Sequence, residues 1–259
     1  MRGAACAFAC NPRAAYMAFA SGADIVPMIR KLESIAQLSP DERQALDSLP
    51  ITRKRIDAHE DIVREGDRPS QCCLLLQGWA FRYKLLDDGK RQILSLYVPG
   101  DIPDLQSLHL RVMDHNLAAL TPSTVAFIPH DALRDLTARF PGLTMALWRD
   151  TLIDSSIARE WMTNIGRRST HGRIAHLFCE IYLKLHAVGL ASEYRCEMAP
   201  TQNEIADAIG VSNVHVNRVL QDLRANGLIA YHGNDLVIRD WGALVRLAQY
   251  DPAYLHLDD

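Results

Sequence analysis

The stretch at positions 201–224 restricts the fold of this chain more than any other part of the sequence. Thr201 is followed three residues later by Glu204, the spacing of a capping box, so a helix is predicted to begin there. Gly210 can take the left-handed conformation that ends a helix, and Ser212 can cap the next one. The pattern therefore predicts two short helices joined by a tight turn, which is a helix-turn-helix.

The second predicted helix has one apolar and one polar face. Its apolar face consists of Val216, Val219, Leu220 and Leu223. Arginine can donate two hydrogen bonds to guanine and asparagine can pair with adenine, so polar residues at the start of this helix suit base edges in the major groove. The candidate DNA-binding residues are Thr201, Gln202, Ser212, Asn213, His215, Asn217 and Arg218.

A strand, a turn and a second strand are predicted at 227–238, directly after the second helix. They form the wing of a winged helix and favour that fold over an αα-hairpin in an unrelated protein. Positions 169–259 carry seven basic and eleven acidic residues, and seven minus eleven gives a net charge of −4. Attraction to phosphate must then come from a few local cations. The candidate phosphate contacts are Arg167, Arg168 and Arg173.

The first half of the chain has a different texture, with short β-like runs between glycine turns at positions 51–129. The clearest hairpin signal is Asp88-Gly89, which separates two runs rich in apolar and aromatic residues. Such spacing predicts an antiparallel sandwich, barrel or roll. We therefore expect an α+β protein, with a jelly-roll-like β-roll sensor domain at 25–140 and a winged helix-turn-helix domain at 169–259.

A long helix is predicted between these two domains, at 141–168. Its apolar residues recur at spacings of four, six, four and four, which keeps them on one side of a helix about 40 Å long. They are Leu143, Leu147, Ile153, Ile157 and Trp161. A long apolar stripe needs a partner, and we interpret it as the dimerisation surface of a homodimer. The alternative is that the stripe packs on the β domain of its own chain.

Composition limits the class of protein. The chain has 259 residues, 48% hydrophobic and 23% charged, enough for two folded domains, and no apolar run approaches the length of a membrane span. Six scattered cysteines do not suggest a disulfide framework, so a reducing cytoplasm is expected. The Ala-rich positions 1–24 are broken by Asn11, Pro12 and Arg13, which favours a disordered leader over a secretory signal.

The order of β-roll, long helix and winged helix resembles the Crp/Fnr family of bacterial transcription regulators over about 25–250. The resemblance is carried by Gly66-Asp67, Gln77-Gly78, Gly89, Pro99-Gly100-Asp101 and the whole motif at 201–224. It implies a homodimer that binds an inverted repeat in double-stranded DNA, with RNA polymerase as a candidate partner and an unknown small-molecule effector. Ser212, Val216 and Arg218 match the family's recognition-helix signature, whereas Val214 replaces a glutamate that reads cytosine.

The resemblance also implies an effector pocket in the β-roll, and here the sequence departs from the family. Asp104 and Leu105 stand where members that bind cyclic AMP have a Gly-Glu pair, and Met113 and Asp114 stand where they have an Arg-Ser pair. A carboxylate in place of a phosphate-binding arginine repels the ligand, so we expect no cyclic AMP binding in the usual mode. The candidate effector residues are Gly100, Asp101, Asp104, Met113 and Asp114.

Two other classes of function stay open. One is a ligand-binding or protein-interaction module that has lost DNA affinity, and the other is a redox or metal sensor built on some of the cysteines. Cys6, Cys10, Cys72 and Cys73 are poorly spaced for the four thiolates of an iron–sulfur cluster, so no cofactor and no metal site is expected. The sequence has no phosphate loop, nucleophile elbow or metalloprotease helix, and no enzyme is expected.

Overall fold

The computed structural model describes residues 25–257. The predicted leader at 1–24, with Cys6 and Cys10, lies outside the described residues. The described chain begins with two short helices, α1 (Val26–Glu33) and α2 (Pro40–Asp47). The Ser39 hydroxyl caps α2 by accepting from the Glu42 amide, and the Glu42 carboxylate accepts from the Ser39 amide in return, which completes a capping box.

Seven antiparallel strands follow and form the predicted β-roll. They are β1 (Thr52–Ile56), β2 (Asp61–Val63), β3 (Gln71–Gln77), β4 (Ala80–Leu85), β5 (Arg91–Tyr97), β6 (Asn116–Ala119) and β7 (Ser123–Pro129). One sheet has the order β1-β7-β3 and the other β2-β6-β4-β5. The predicted Asp88-Gly89 hairpin joins β4 to β5, where Leu85 pairs with Arg91, and Gly89 has a φ of 82°. The α+β class and the β-roll are confirmed.

The interior of the roll is filled with apolar side chains from both sheets. They are Ile56, Val63, Cys73, Leu75, Ala80, Tyr97, Met113, Leu117, Ala119 and Val125. Met113 belongs to this packed cluster and is buried, with an exposed fraction of 2%. Close packing of this kind leaves little space for a ligand inside the roll.

Three helices leave the roll in succession: α3 (His130–Arg139), α4 (Pro141–Arg167) and α5 (Thr170–Ala187). Helix α4 has 27 residues, which confirms the predicted long helix. Its predicted stripe, Leu143 to Trp161, is buried by the chain's own residues. Ile153 and Ile157 lie close to the C-terminal Leu255, and the Trp161 indole donates to Glu180 of α5 at 3.0 Å.

The assignment of this stripe to a dimer surface is therefore wrong for the described structure, and the alternative of packing within the chain is correct. Periodicity identifies an apolar face but not the element that covers it. A second apolar row, which the sequence reading missed, lies on the opposite side of the helix. We call it the outer face of α4; it contains Met145, Trp148 and Leu152, with exposed fractions of 59%, 59% and 54%, together with Met162.

The C-terminal part is a winged helix. Its elements are β8 (Arg195–Glu197), α6 (Gln202–Ile209), α7 (Asn213–Ala225), β9 (Ile229–His232), β10 (Asp235–Ile238), α8 (Trp241–Ala248) and a short 3₁₀ helix (Pro252–Leu255). The sheet has the order β8-β10-β9, so the predicted wing gains a third strand. Among residues 25–257, no helix is both long and apolar enough to cross a bilayer.

The winged helix packs directly on the roll. Arg91 of β5 forms an ion pair with Asp207 of α6 at 2.8 Å, and the Gln92 amide donates to the Ala208 carbonyl at 3.1 Å. Phe81 and Ile93 on the outer side of the roll are buried in the same apolar cluster as Ile205 of α6. This packing fixes the position of α6 and α7 relative to the roll.

Candidate DNA-binding interface and effector site

The helix-turn-helix has the local geometry that its sequence predicts. The Thr201 hydroxyl accepts from the Glu204 amide, and the Glu204 carboxylate accepts from the Thr201 amide at 2.7 Å. Gly210 ends α6 with a φ of 71°, and the Ser212 side chain caps α7 by accepting from the His215 amide. The predicted capping box, glycine turn and serine cap are all confirmed.

Seven polar residues of α6 and α7 lie together with the apolar Val214 on one side of the motif, which we call the recognition surface. It consists of Gln202, Asn203, Asn213, Val214, His215, Asn217, Arg218 and Gln221, and all but two of these are exposed; Gln202 and Asn217 are half-buried. Hydrogen bonds tie the two helices together here. The Asn213 amide donates to Asn203, and the Asn217 amide donates to the Gln202 carbonyl oxygen at 3.1 Å.

Arg218 has the most direct role in the electrostatics of this surface. Its guanidinium donates to His215 Nε2 at 2.7 Å, and both side chains are exposed. The hydrogen bond holds the cation near the beginning of α7, where the partial positive charge of the helix terminus adds to it. The surface thus joins one permanent cation to several amides that can both donate and accept.

Two members of the recognition surface were missed by the sequence reading. Gln221 donates to Asn217 at 2.9 Å, one helical turn away, and the four-residue spacing could have revealed it. Asn203 meets Asn213 only because α6 and α7 cross, so no local pattern indicates it.

Two of the predicted phosphate contacts have structural partners instead. Arg168 pairs with Glu160 at 2.6 Å and donates to the Gln249 carbonyl. Arg173 donates to the carbonyls of Arg168 and Ile209. Both guanidinium groups hold the corner between α4 and α5, so the structure gives each a role in the fold, and their contact with phosphate stays a prediction. Arg167 is exposed, and its contact with phosphate stays a prediction.

The predicted effector residues do not line one pocket. Gly100 lies against the Pro27 carbonyl, where a β-carbon would be only 2.5 Å from that oxygen. Asp104 is fully buried and accepts from the Cys73 amide at 2.7 Å, while Asp114 points to solvent beside His115. With Met113 packed inside the roll, the predicted pocket is wrong, because counting along the chain did not place these side chains in space.

Burial also changes the ionisation of Asp104. It raises the pKa of this carboxyl group to about 7, even though the hydrogen bond from the Cys73 amide opposes the shift. The second carboxyl oxygen has no hydrogen-bond partner. Asp104 is therefore a structural acid whose charge is unfavourable, and not a group that faces a ligand.

A small cavity of about 50 Å³ does lie nearby, between α1, β5, α4 and α5. Five charged residues line the cavity, and together with Arg82, which pairs with one of them, they form what we call the charge network: Lys31, Arg82, Asp101, Asp150, Asp154 and Lys184. Lys31 contacts Asp101 and, at 2.8 Å, Asp150. Arg82 pairs with Asp154 at 2.8 Å, and the Tyr97 hydroxyl donates to the same carboxylate at 3.2 Å.

The two carboxylates that share Lys31 respond differently to burial. Burial opposes ionisation of Asp101, but Lys184 and Lys31 together hold its pKa below the usual range. Burial raises the pKa of Asp150, and Lys31 offsets this only in part. Except for Asp101, the network was not predicted, because its members come from four elements and the loop after β5, and no sequence motif joins them.

Comparisons with known proteins agree with this geometry. A family model described as a cyclic nucleotide-binding domain matches residues 53–140, which covers the roll, and one described as a Crp-like helix-turn-helix domain matches residues 172–247. Among the similar curated proteins is the transcriptional activator protein FnrA of Stutzerimonas stutzeri, 24% identical over 82% of this chain and 86% of its own length. The chain belongs to the Crp/Fnr family.

Further relatives of this Crp/Fnr-type regulator support the assignment. The anaerobic regulatory protein of Pasteurella multocida is 24% identical over 82% of this chain and 77% of its own length. The structure of FixK2 from Bradyrhizobium japonicum is similar with a TM-score of 0.70 and 24% identity, covering 77% of this chain and 98% of that one. The relatives are transcription regulators, and the helix-turn-helix of this chain is a DNA-binding domain of that type.

The cysteines of this regulator that the structure describes do not suit an iron–sulfur cluster. Cys72 and Cys73 are adjacent on β3, so their side chains point to opposite faces, and Cys73 alone lies inside the roll. Burial raises the pKa of Cys72, Cys179 and Cys196 to about 12. Within residues 25–257, no group of three or more His, Cys, Asp or Glu side chains could hold a metal ion.

Proposed function

We propose that the protein is a homodimeric, sequence-specific transcription regulator that binds an inverted repeat in double-stranded DNA. The observation that carries the proposal is the recognition surface, on which polar side chains of α6 and α7 are exposed and already positioned by mutual hydrogen bonds. Two such helices in successive major grooves require half-sites about 34 Å apart. A cytoplasmic location and contact with RNA polymerase belong to the same proposal.

The outer face of α4 supports a dimer of two copies of this chain. Met145, Trp148 and Leu152 are spaced by three and four residues, the repeat of a two-helix interface, and all three are exposed. Burying such side chains against their counterparts contributes about 1.5 to 3 kcal/mol for each large side chain. A second copy offers a matching row at the same position, which suits a twofold-symmetric contact.

Substitution within α4 tests the dimer. Trp148→Asp on the outer face should weaken the dimer about 100-fold or more, because two copies of the side chain are lost, and leave the monomer folded. Ile157→Asp is the matched control on the buried face, and should lower the stability of the fold. Analytical ultracentrifugation and thermal unfolding separate the two effects. A Trp148→Asp protein that remains dimeric at micromolar concentration would exclude this face.

We further propose that the roll does not bind cyclic AMP or cyclic GMP. The proposal is supported by the packed interior of the roll. It is also supported by the ion pair between Arg82 and Asp154, because this pair neutralises a guanidinium that could otherwise attract a phosphate. The effector, if one exists, must therefore be of another chemical class. Calorimetry with either nucleotide at millimolar concentration should give no heat of binding, and saturable binding would contradict the proposal.

DNA binding is tested by selection from a random duplex pool, followed by titration of the selected duplex at several salt concentrations. Affinity should fall steeply as salt rises, because phosphate contacts release counterions. Arg218→Ala should weaken specific binding by roughly 5- to 150-fold per half-site, whereas the exposed Arg139→Ala on α3 should not.

The net negative charge of positions 169–259 favours one alternative function, that of a protein-interaction module without DNA affinity. Failure to enrich any duplex, in a protein that is folded and dimeric, would favour the rival.

A further inference from the structure

Val214 is the most exposed large hydrophobic residue among residues 25–257, with an exposed fraction of 82%. It is the second residue of α7, directly after Asn213, and it belongs to the first turn of the helix. In a helix-turn-helix, this turn is the part of the second helix that meets base edges. An apolar side chain in such a place needs an explanation other than the fold.

Neither packing nor helix formation requires a valine at this position. The apolar residues that hold α7 in place are Val216, Val219, Leu220 and Leu223, all of them buried. Valine loses side-chain freedom in a helix and is a weaker helix former than alanine. Replacing Val214 by a smaller residue would therefore leave the core of the winged helix unchanged.

The neighbours of Val214 are polar and are held by bonds to other residues. Asn213 is hydrogen-bonded to Asn203 of α6, and His215 accepts from Arg218 on the next turn. The isopropyl group is thus an apolar projection among polar groups on the recognition surface. It has no donor or acceptor, so it cannot distinguish bases by hydrogen bonding.

We propose that Val214 recognises the C5-methyl group of a thymine in each half-site. Thymine is the only standard base that presents a methyl group in the major groove, and apolar side chains contact it there. This inference rests on the proposed function, because it takes α7 to be the recognition helix. It makes the methyl group, and not the hydrogen-bonding edge of the base pair, the feature that is read at this position.

The experiment uses the full-length protein and the duplex obtained by selection. The position read by Val214 is the one at which Val214→Ala abolishes a preference for thymine. Replacing that thymine by deoxyuridine removes only the methyl group. The wild-type protein should then bind about fourfold more weakly for one half-site and about 15-fold for both, the value of one buried carbon group per site. Val214→Ala should bind the thymine and deoxyuridine duplexes equally.

A second substitution isolates the methyl group from the base. Cytosine at the same position should bind weakly, and 5-methylcytosine should recover about the fourfold that the methyl group contributes. Val112→Ala is the matched control, since it removes the same methyl groups from an exposed valine of the roll and should keep the full sensitivity to deoxyuridine. Circular dichroism should give a melting temperature for Val214→Ala at least as high as that of the wild type, because alanine is the better helix former.

The inference is overturned if the wild-type protein binds thymine and deoxyuridine duplexes equally at every position of the selected site. It is also overturned if Val214→Ala keeps the wild-type sensitivity. Absence of binding to any duplex is a different result, because it contradicts the proposed function itself.

Discussion

The recognition surface and the charge network place polar groups in opposite environments. The recognition surface is drawn from positions 202–221 and is mostly exposed, with hydrogen bonds between neighbouring side chains. The charge network joins Lys31 of α1 to Lys184 of α5, and its Asp101 is buried between them. The recognition surface is local in sequence and mostly exposed, whereas the charge network joins distant positions and is mostly buried.

This contrast in burial separates the polar groups that can determine binding specificity from those that stabilise the fold. An exposed hydrogen bond exchanges with water at little net free energy, so the side chains of the recognition surface can change without unfolding the protein. A buried charge that loses its partner keeps its desolvation cost, so each member of the network depends on the others. Three measurements of the free energy of unfolding test this distinction between the two regions.

The largest effect is expected for Lys31→Met, which leaves Asp150 without its only described cationic partner. The free energy of unfolding should fall by about 3 to 5 kcal/mol, measured by urea denaturation at pH 7. The double variant Lys31→Met/Asp150→Leu should recover most of the loss, because an apolar pair of similar volume carries no buried charge. A loss below about 1 kcal/mol would mean that water reaches the network and that the two regions do not differ.

An intermediate effect is expected for Asp104→Asn, and it depends on pH. The pKa of Asp104 is about 7 in the folded state, above its unfolded value, so the folded state binds an extra proton between pH 4 and pH 7. Wild-type stability should therefore decline as pH rises through this window. The variant does not titrate, and its stability relative to the wild type should increase by about 2 kcal/mol from pH 5 to pH 8.

Asp87→Asn serves as the control for this measurement, since its carboxylate is exposed in the turn between β4 and β5. An Asp104→Asn protein whose advantage does not grow with pH would show that Asp104 is already ionised in the folded state.

The smallest effect is expected on the recognition surface. Arg218→Ala should change the unfolding free energy by less than about 0.5 kcal/mol, even though it weakens DNA binding. The same denaturation experiment at pH 7 measures it. A loss above about 1 kcal/mol would contradict the distinction between the two regions, because the recognition surface would then also stabilise the fold.

The helix-turn-helix was predictable because its signals act over a few residues. The capping box from Thr201 to Glu204, the turn at Gly210 and the cap at Ser212 each involve hydrogen bonds or dihedral angles within one turn of chain. The hairpin at Asp88-Gly89 is of the same kind. Such features are the same in any tertiary context, so the sequence reading found both the elements and their order.

Local signals could not predict which face of α4 is covered or which groups bind Arg168 and Arg173. Two apolar rows run along α4, and only the packing of the C-terminal Leu255 and of α5 decides which row is covered. The sequence predicts phosphate contacts for Arg168 and Arg173. Only the structure shows that carboxylate and carbonyl groups at the corner between α4 and α5 already bind them.

The α+β class, the β-roll, the long helix and the winged helix with its polar recognition residues could all be predicted from sequence patterns. The tertiary contacts were needed to show which face of α4 is free, that the predicted effector residues do not meet, and that Lys31 pairs with two acidic residues far along the chain. The physical reason is one of range. Propensity and capping depend on neighbours in sequence, whereas burial and charge pairing depend on which distant elements exclude water from a side chain.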